Sequence, residues 1–235
     1  MASSDFYDSF VPYQIKTGIN DRIYSLYKRI CRLGIGTKAD MLEIGCGIGS
    51  LTYLIARNLK EGKIEALDIS PKSIEFASKN RSQKNLSFTC ADIFTFSPVS
   101  PVFDKILLFD VLEHIPNEKH LELFGKISDW MHDASLLLIN IPNPDYILYD
   151  QKNDPHSLQE IDNPVFLHQL ANVLDNASLS IHSFETYSVW VKDDYQFLVV
   201  KKKSAFLRQS LSENRSPGER MILRVARAVR KIIYR

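Results

Sequence analysis

Cysteine is scarce in this chain, with three among 235 residues: Cys31, Cys46 and Cys90. They are odd in number and lack metal-ligand spacing. That argues against a disulfide framework and a zinc site, and for a reducing compartment. Long apolar runs are also missing. No stretch reaches the roughly 18 apolar residues that a membrane-spanning helix needs. The opening Met1-Ala2-Ser3-Ser4-Asp5 has no basic flank leading into an apolar core, so no signal peptide is expected and the cytoplasm is the expected address. Net charge is nearly absent as well. Lys plus Arg is 29 against 28 for Asp plus Glu, a formal +1, so a chain-wide field for nucleic acid is not expected.

The near-zero charge hides an asymmetry. Residues 204–235 carry eight basic and two acidic side chains, a net +6. The remainder holds 21 basic against 26 acidic, a net −5, so a mildly acidic body precedes a basic tail. What is present otherwise is ordinary globular composition, 45% hydrophobic and 24% charged. It excludes disordered and collagen-like classes, and the length suits one domain with appendages.

The period of the apolar residues switches between helix and strand. Ile15, Ile19, Ile23, Leu26, Ile30 and Leu33 recur at three and four, which predicts one amphipathic helix. Met41–Ile44 is a short buried strand, 51–59 a helix and 63–69 a strand. Ser70-Pro71 is an N-cap followed by Pro at the first helical position, opening a helix to Asn80. Strands are expected at Leu86–Cys90, Phe103–Phe109 and 135–141, with a helix over 117–133. A helix over 165–174 follows, then strands at 178–191 and 195–201, joined by a link short enough to require an antiparallel hairpin. Alternation of this kind implies five parallel strands with helices on both faces, plus the hairpin. Residues 143–164 read as a long connection, of the length that loops with a function tend to have.

Met41-Leu-Glu43-Ile-Gly45-Cys46-Gly47-Ile-Gly49 is the most informative segment. Glycines at a strand end let the backbone turn tightly and approach a ligand, and the next helix offers free N–H groups. A nucleotide-type cofactor is implied. Asp68 ends the next strand, nineteen residues after Gly49, where a carboxylate accepts ribose hydroxyls. Asp92 follows the third strand in Ala91-Asp92-Ile93. There it suits the exocyclic amine of an adenine, with Ile69 and Ile93 on either side of the ring. Each aspartate alone reads first as a helix N-cap or a solvated loop residue; at successive strand ends the two point to one ligand.

These features, with Phe109-Asp110-Val-Leu-Glu113-His114-Ile-Pro116, resemble the class I S-adenosylmethionine-dependent methyltransferases over about residues 38–203. The resemblance implies a Rossmann-like α/β fold: a mostly parallel seven-stranded sheet with a terminal antiparallel hairpin and helices on both faces. It also implies S-adenosylmethionine as cofactor, with Glu43, Gly45, Cys46, Gly47 and Gly49 on its methionine part, Asp68 at the ribose, Asp92 at the adenine with Ile69 and Ile93 beside the ring, and Phe109 nearby. A nicotinamide dehydrogenase would carry its last glycine at position 50, which is Ser50.

The loop after Phe109 lies beside the reactive methyl in methyltransferases of this type. A hydroxyl acceptor must lose a proton, which suits a histidine base with a pKa near 7. His114 is the candidate, with Glu113 and Asp110 beside it; the alternative is that Glu113 and His114 cap the next helix. Asp110, Glu113 and His114 also resemble the metal-binding triplet of ubiquinone-type and small-RNA 2′-O-methyltransferases, with Asp in the first place and His156 as a candidate fourth ligand. A divalent metal, and with it a small-molecule or quinol acceptor, is therefore a second reading. A third is a non-catalytic cofactor-binding subunit. The stretch Asn140-Ile-Pro-Asn-Pro144 lacks the pattern of amine-directed nucleic-acid and glutamine methyltransferases, no Pro-Cys pair serves cytosine chemistry, and the acidic body disfavours a polyanion.

Residues 1–37 are expected to form a helical lid. Its Phe6, Tyr7, Phe10, Tyr13 and Gln14 either line the acceptor pocket or pack as core. Tyr146, Tyr149, Asp150, His156 and Gln159 are further acceptor candidates. The segment from Asp150 to Asp162 is similar to bacterial methyltransferases of polysaccharide and glycan biosynthesis, which favours a sugar or glycolipid hydroxyl. In the tail, a polar linker leads to residues 218–235. There Ile222, Val225, Val229 and Ile232 form one helical stripe and Arg220, Arg224, Arg227, Lys231 and Arg235 another. This suits peripheral contact with the inner face of a membrane or packing against protein, with RNA as a third option.

Overall fold

The computed structural model describes residues 4–34, 38–159, 161–205 and 216–233. Two helices, α1 (Ser4–Thr17) and α2 (Asp21–Arg32), precede an alternating series: β1 (Met41–Ile44), α3 (Ser50–Ala56), β2 (Ile64–Asp68), α4 (Pro71–Asn80), β3 (Leu86–Cys90) and β4 (Phe103–Phe109). Then come α5 (His120–Asp129), β5 (Met131–Pro142), α6 (Pro144–Asn153), α7 (Leu167–Asn176), β6 (Leu179–Tyr187) and β7 (Tyr195–Lys202).

The strands form one seven-stranded sheet in the order β3-β2-β1-β4-β5-β7-β6. Pairings from β3 through β5 are parallel, and β7 runs antiparallel to both β5 and β6. This is the Rossmann-like methyltransferase sheet expected from the sequence. Both faces are covered. Ile106 and Leu108 of β4 pack on one side with Leu123, Phe124 and Leu170, while Leu107 and Phe109 pack on the other with Leu26, Ile30 and Ile55. Leu107 is fully buried; cutting such a side chain to alanine costs about 2–5 kcal/mol. Because β1 has β2 on one side and β4 on the other, the chain's winding reverses there. A crevice at the carboxyl ends of β1 and β4 is the geometric consequence.

Four expectations are corrected. The single helix over 15–33 is two helices. Gly18 at φ 61° ends α1, and Asn20 caps α2 by accepting the Ile23 amide at 3.0 Å. The helix over 117–133 is shorter, since a 3-10 turn occupies Asn117–Lys119 and Met131 already pairs with Phe103 of β4. The first of the two hairpin strands ends at Tyr187 rather than Val191. Asp194 gathers the amides of Val189, Trp190 and Val191 at 2.8–3.1 Å and turns the chain before it can extend further. The long connection contains α6, started by the Asn143 side chain, which accepts the Asp145 amide at 3.1 Å, and by Pro144.

Residues 204–235 form a separate unit, in which α8 (Pro217–Ile233) is the described helix. Ser216 and Glu219 start it with a reciprocal capping box: the Ser216 amide donates to Glu219 Oε2 at 2.8 Å, and the Glu219 amide donates to Ser216 Oγ at 3.3 Å. The linker at 206–215 and Arg235 lie outside the described residues.

Candidate functional site

The loop after β1 is shaped by two demands at its glycines. Gly45 and Gly47 have φ of 77° and 52°, the left-handed region that side-chain-bearing residues avoid. Space is the second demand. A β-carbon on Gly45 would overlap the Val111 side chain, and one on Gly47 would sit 3.3 Å from both terminal atoms of Gln14 in α1. The Gly45 and Cys46 amides donate to the Leu67 carbonyl at 2.8 and 3.0 Å, fastening the loop to β2. The Gly47 amide donates to Asp68 Oδ2 at 2.8 Å, and the Ser70 amide donates to Oδ1 at 2.9 Å. Each carboxylate oxygen keeps a further lone pair for a ligand.

Above these strand ends lies a cavity of about 290 Å³, near the lower end of the range for small-molecule sites. Glu43, Gly45, Cys46 and Gly47 line one part; Asp68, Ile69, Asp92 and Ile93 line another; Phe109, Asp110 and His114 line a third. Gly49 does not line it. Gly49 backs the loop, where a β-carbon would press on Phe88 at 2.7 Å. Asp92 also braces its own turn, accepting the Phe94 amide at 2.8 Å through Oδ1. The capping and ligand-binding readings of Asp92 are therefore compatible.

The lining fits a cofactor that has amine and hydroxyl donors and a positive charge. Glu43 Oε2 and Gln14 Oε1 are buried without a hydrogen-bond partner, an arrangement that calls for a donor. Burial pushes the Glu43 carboxyl up to about 7, helped by the Asp68 charge and opposed by Thr52. Burial likewise raises Asp68. A cationic ligand among these carboxyls restores their ionised state. S-adenosylmethionine has that chemistry.

At the end of β4, Asp110 adopts φ 54°, a strained conformation of the kind found at functional sites. Its carboxylate is ion-paired with Arg22 of α2 and accepts from Asn140 Nδ2 at 3.1 Å; Asn140 Oδ1 in turn accepts the Tyr187 hydroxyl at 2.7 Å. Burial raises the Asp110 pKa, and the Arg22 guanidinium opposes that rise. His114 follows in a 3-10 turn, Leu112–His114. Its Nδ1 lies 2.6 Å from the Ile161 carbonyl and 3.1 Å from Asp162 Oδ1. Burial works against its charge, but Asp162 and Glu113 outweigh that and push the ring up to about 9. That lies above the value near 7 expected of the base, because Asp162 and Glu113 favour the charged ring. Glu113 is buried with Oε1 4.0 Å from His114 Nε2 and does not line the cavity, and burial raises it to about 8. Neither Glu113 nor His114 caps a helix.

The alternative metal triplet is not assembled. Asp110 is turned to Arg22 and Asn140, His114 Nδ1 is turned to Asp162, and among the described residues no group of three or more His, Cys, Asp or Glu is arranged to hold a metal.

Helix α1 crosses the cavity with Tyr7, Phe10, Tyr13 and Gln14 in its lining. Asp8 latches it to the start of α4, accepting the Ser70 hydroxyl at 2.5 Å and the Lys72 amide at 3.1 Å. Among the described residues of the 143–164 segment, only Gln159 reaches the cavity. Tyr146, Tyr149, Asp150 and His156 do not line it, because α6 and the 3-10 turn Pro155–Ser157 carry them elsewhere; Tyr149 is 63% exposed, and Asp150 is buried beside Tyr146. Arg22, Asp8 and Asp162 were not singled out in the sequence. Each sits far along the chain from its partner, so no local spacing marks it.

A family model described as a methyltransferase domain matches residues 35–203. The chain is 32% identical over 103 residues to (S)-coclaurine N-methyltransferase of Thalictrum flavum subsp. glaucum, covering 43% of this chain and 28% of that protein. It is 39% identical over 57 residues to malonyl-[acyl-carrier protein] O-methyltransferase of Acetivibrio thermocellus, covering 24% of this chain and 20% of that protein. These matches span less than a third of either relative. Magnesium protoporphyrin IX methyltransferase from Synechocystis PCC 6803, solved with bound SAH, superimposes with a TM-score of 0.64 at 18% identity, over 83% of this chain and 87% of that one.

Proposed function

The chain belongs to the S-adenosylmethionine-dependent methyltransferase family, and from that premise we propose that it transfers a methyl group from S-adenosylmethionine to a hydroxyl oxygen of a sugar or glycolipid precursor. The observation that carries the reading is one shared cavity: the glycine loop, Asp68 and Asp92 line it together with His114. Bound there, the cofactor supplies an electrophilic methyl on sulfur. Glu43 and the glycine loop would hold its amino-acid end, Asp68 its ribose, and Asp92, Ile69 and Ile93 its adenine.

The protein's part in such a displacement is alignment, exclusion of water and management of one proton. Helix α1 serves as the lid of the 1–37 segment and His114 as the proton acceptor. The curated relatives act on different atoms by name, nitrogen in one and oxygen in another, so the acceptor is argued from this cavity. Tyr7, Phe10 and Tyr13 line it together with Gln14, Asn20 and Gln159. Flat apolar faces bordered by amides suit a sugar ring, with its C–H faces and its hydroxyls. Attachment through α8 to an anionic membrane fits an acceptor carried on a lipid. Its Ile222, Val225, Val229 and Ile232 stripe would enter the interface beside Arg220, Arg224 and Arg227.

The test uses the purified chain, methyl-tritiated S-adenosylmethionine and a bacterial glycolipid extract. Label in an alkali-stable, sugar-containing product is the expected result. Label released as methanol by mild alkali (a methyl ester), or recovered on an amine, overturns the reading.

A further inference from the structure

We infer that Asp162 is the positioning residue of a proton-accepting pair: it holds the His114 ring with Nδ1 turned inward, so that Nε2 is the atom that takes the proton of the acceptor hydroxyl. The inference rests on the hydroxyl-methylating reading and adds to it the tautomer, the accepting atom and the carboxylate that fixes both together with the Ile161 carbonyl.

The geometry around Nδ1 leaves one assignment. Its neighbours, the Ile161 carbonyl at 2.6 Å and Asp162 Oδ1 at 3.1 Å, are both acceptors, so Nδ1 carries a hydrogen and donates it. The neutral ring then has its lone pair on Nε2. Glu113 Oε1 stands 4.0 Å from Nε2, beyond hydrogen-bond reach. His114 lines the cavity and Asp162 does not, so Asp162 acts through the ring rather than on the substrate.

Asp162 is itself held. Its Oδ2 accepts the Gln159 amide at 2.7 Å, and its carbonyl accepts Gln151 Nε2 at 3.2 Å. The next residue, Asn163, donates its amide to the Glu113 carbonyl at 2.9 Å. The segment carrying the carboxylate is thereby tied to the turn carrying the histidine and to α6. A carboxylate fastened behind an imidazole, which in turn faces a cavity, is an arrangement that orients a base and stabilises the cation formed when it takes a proton.

Charged and titratable groups approach the ring from each neighbouring element. Asp162 comes from the segment before α7, Glu113 from the same turn, Asp110 from the end of β4, and Tyr7 from α1, its ring edge-on at 6.1 Å between centroids. Arg22 of α2 neutralises Asp110. The net surroundings favour a positive ring, so the state created by proton transfer is the one the site stabilises.

The step balances. The acceptor O–H bond breaks and its proton goes to Nε2. The oxygen's electron pair forms the bond to the methyl carbon, and that carbon's bond to sulfur breaks with its pair left on sulfur. The products are a methyl ether, the thioether form of the cofactor and an imidazolium, which returns its proton to water. Since the resting ring is protonated up to about pH 9, turnover by this route rises with pH toward that value.

The test needs no acceptor. The full chain, labelled with 15N-histidine and saturated with S-adenosylhomocysteine as the probe, is titrated by long-range proton–nitrogen NMR. The His114 signal is assigned by its loss in His114→Gln. The expected wild-type midpoint is near 9, with Nδ1 protonated and Nε2 bare above it. In Asp162→Asn the midpoint falls by about two pH units, toward the ordinary histidine value, and Asp162→Glu restores it. An unmoved midpoint in folded Asp162→Asn, or a wild-type neutral ring protonated on Nε2, overturns the inference. If Asp162→Asn does not fold, Asp162→Glu decides: a midpoint at the ordinary histidine value contradicts the pairing, and one near the wild-type value supports it. Because the readout is independent of product, its failure leaves the hydroxyl reading standing, while an ester or amine product removes that reading without moving this titration.

Discussion

The Asp68 carboxylate accepts the Gly47 amide at 2.8 Å, joining the end of β2 to the glycine loop that follows β1. Two sequence features 21 residues apart thus form one surface, with the Ser70 amide holding the other carboxylate oxygen. Asp68→Ala removes both this brace and the proposed ribose acceptor. Calorimetry is expected to give at least about a 100-fold loss of S-adenosylmethionine affinity, the scale of losing two charge-assisted hydrogen bonds. Wild-type affinity in the variant would remove Asp68 from the site.

Gly45→Ala meets both positive φ and overlap with Val111. It should cost about 1–3 kcal/mol in chemical denaturation. Adding Val111→Ala relieves the overlap and not the backbone strain, so the double variant should recover part of the loss. Full recovery would mean that φ carries no cost, and no recovery would mean that Val111 is not the obstacle.

The acid–base behaviour of the cofactor-free protein follows from its buried groups. Burial holds the Glu43 carboxyl at about 7 instead of the ordinary 4.5. Between those values the folded state binds more protons than the unfolded state, so stability falls as pH rises through that interval, by about 3 kcal/mol for the full shift. His114, raised from 6.5 to about 9, acts in the same direction: its contribution is complete below its unfolded value and is lost as pH rises through about 9. The melting temperature should therefore decline from about pH 5 to about pH 9. Glu43→Gln should flatten the part below about pH 7. A wild-type melting temperature that climbs over that range, or a Glu43→Gln profile parallel to the wild type, contradicts this.

Asp8 is expected to secure α1 through Ser70 and Lys72. In Asp8→Ala, limited proteolysis within residues 4–17 should speed up about tenfold while the sheet stays protected, as for a locally opening element. Equal cleavage rates would show that α1 is held by its packing alone.

The α8 account predicts flotation of the full chain with vesicles containing anionic phospholipid, weakened by salt. Each basic side chain at such a surface contributes about 1 kcal/mol, so reversing Arg220, Arg224 and Arg227 to Glu should abolish flotation. Binding that ignores both lipid charge and these substitutions would assign α8 to another role.

Much of the parallel sheet was legible because its strands are short apolar runs bounded by glycine, proline and aspartate. Met41–Ile44, Leu86–Cys90 and Phe103–Phe109 fall where the pattern predicts them. The failures have local causes. An unbroken apolar period hid the Gly18–Asn20 break, and Asn143-Pro144 reads equally as a strand stop and as the helix start it is. In the candidate site, the glycine loop, Asp68, Asp92 and His114 stood out because strand ends mark them. Arg22 and Asp162 did not, since each acquires its meaning from a partner tens of residues away: Asp110 for one, His114 for the other. Tyr149 drew notice as an aromatic in a presumed loop, but α6 turns it to solvent.

A crystal structure of the S-adenosylhomocysteine complex tests the central claim most directly. The account predicts ribose hydroxyls on Asp68, adenine between Ile69 and Ile93 with its amine at Asp92, and sulfur on the side of the cavity where His114 stands. An adenosyl group bound away from Asp68 and Asp92, or seated with its sulfur turned from His114, would contradict it.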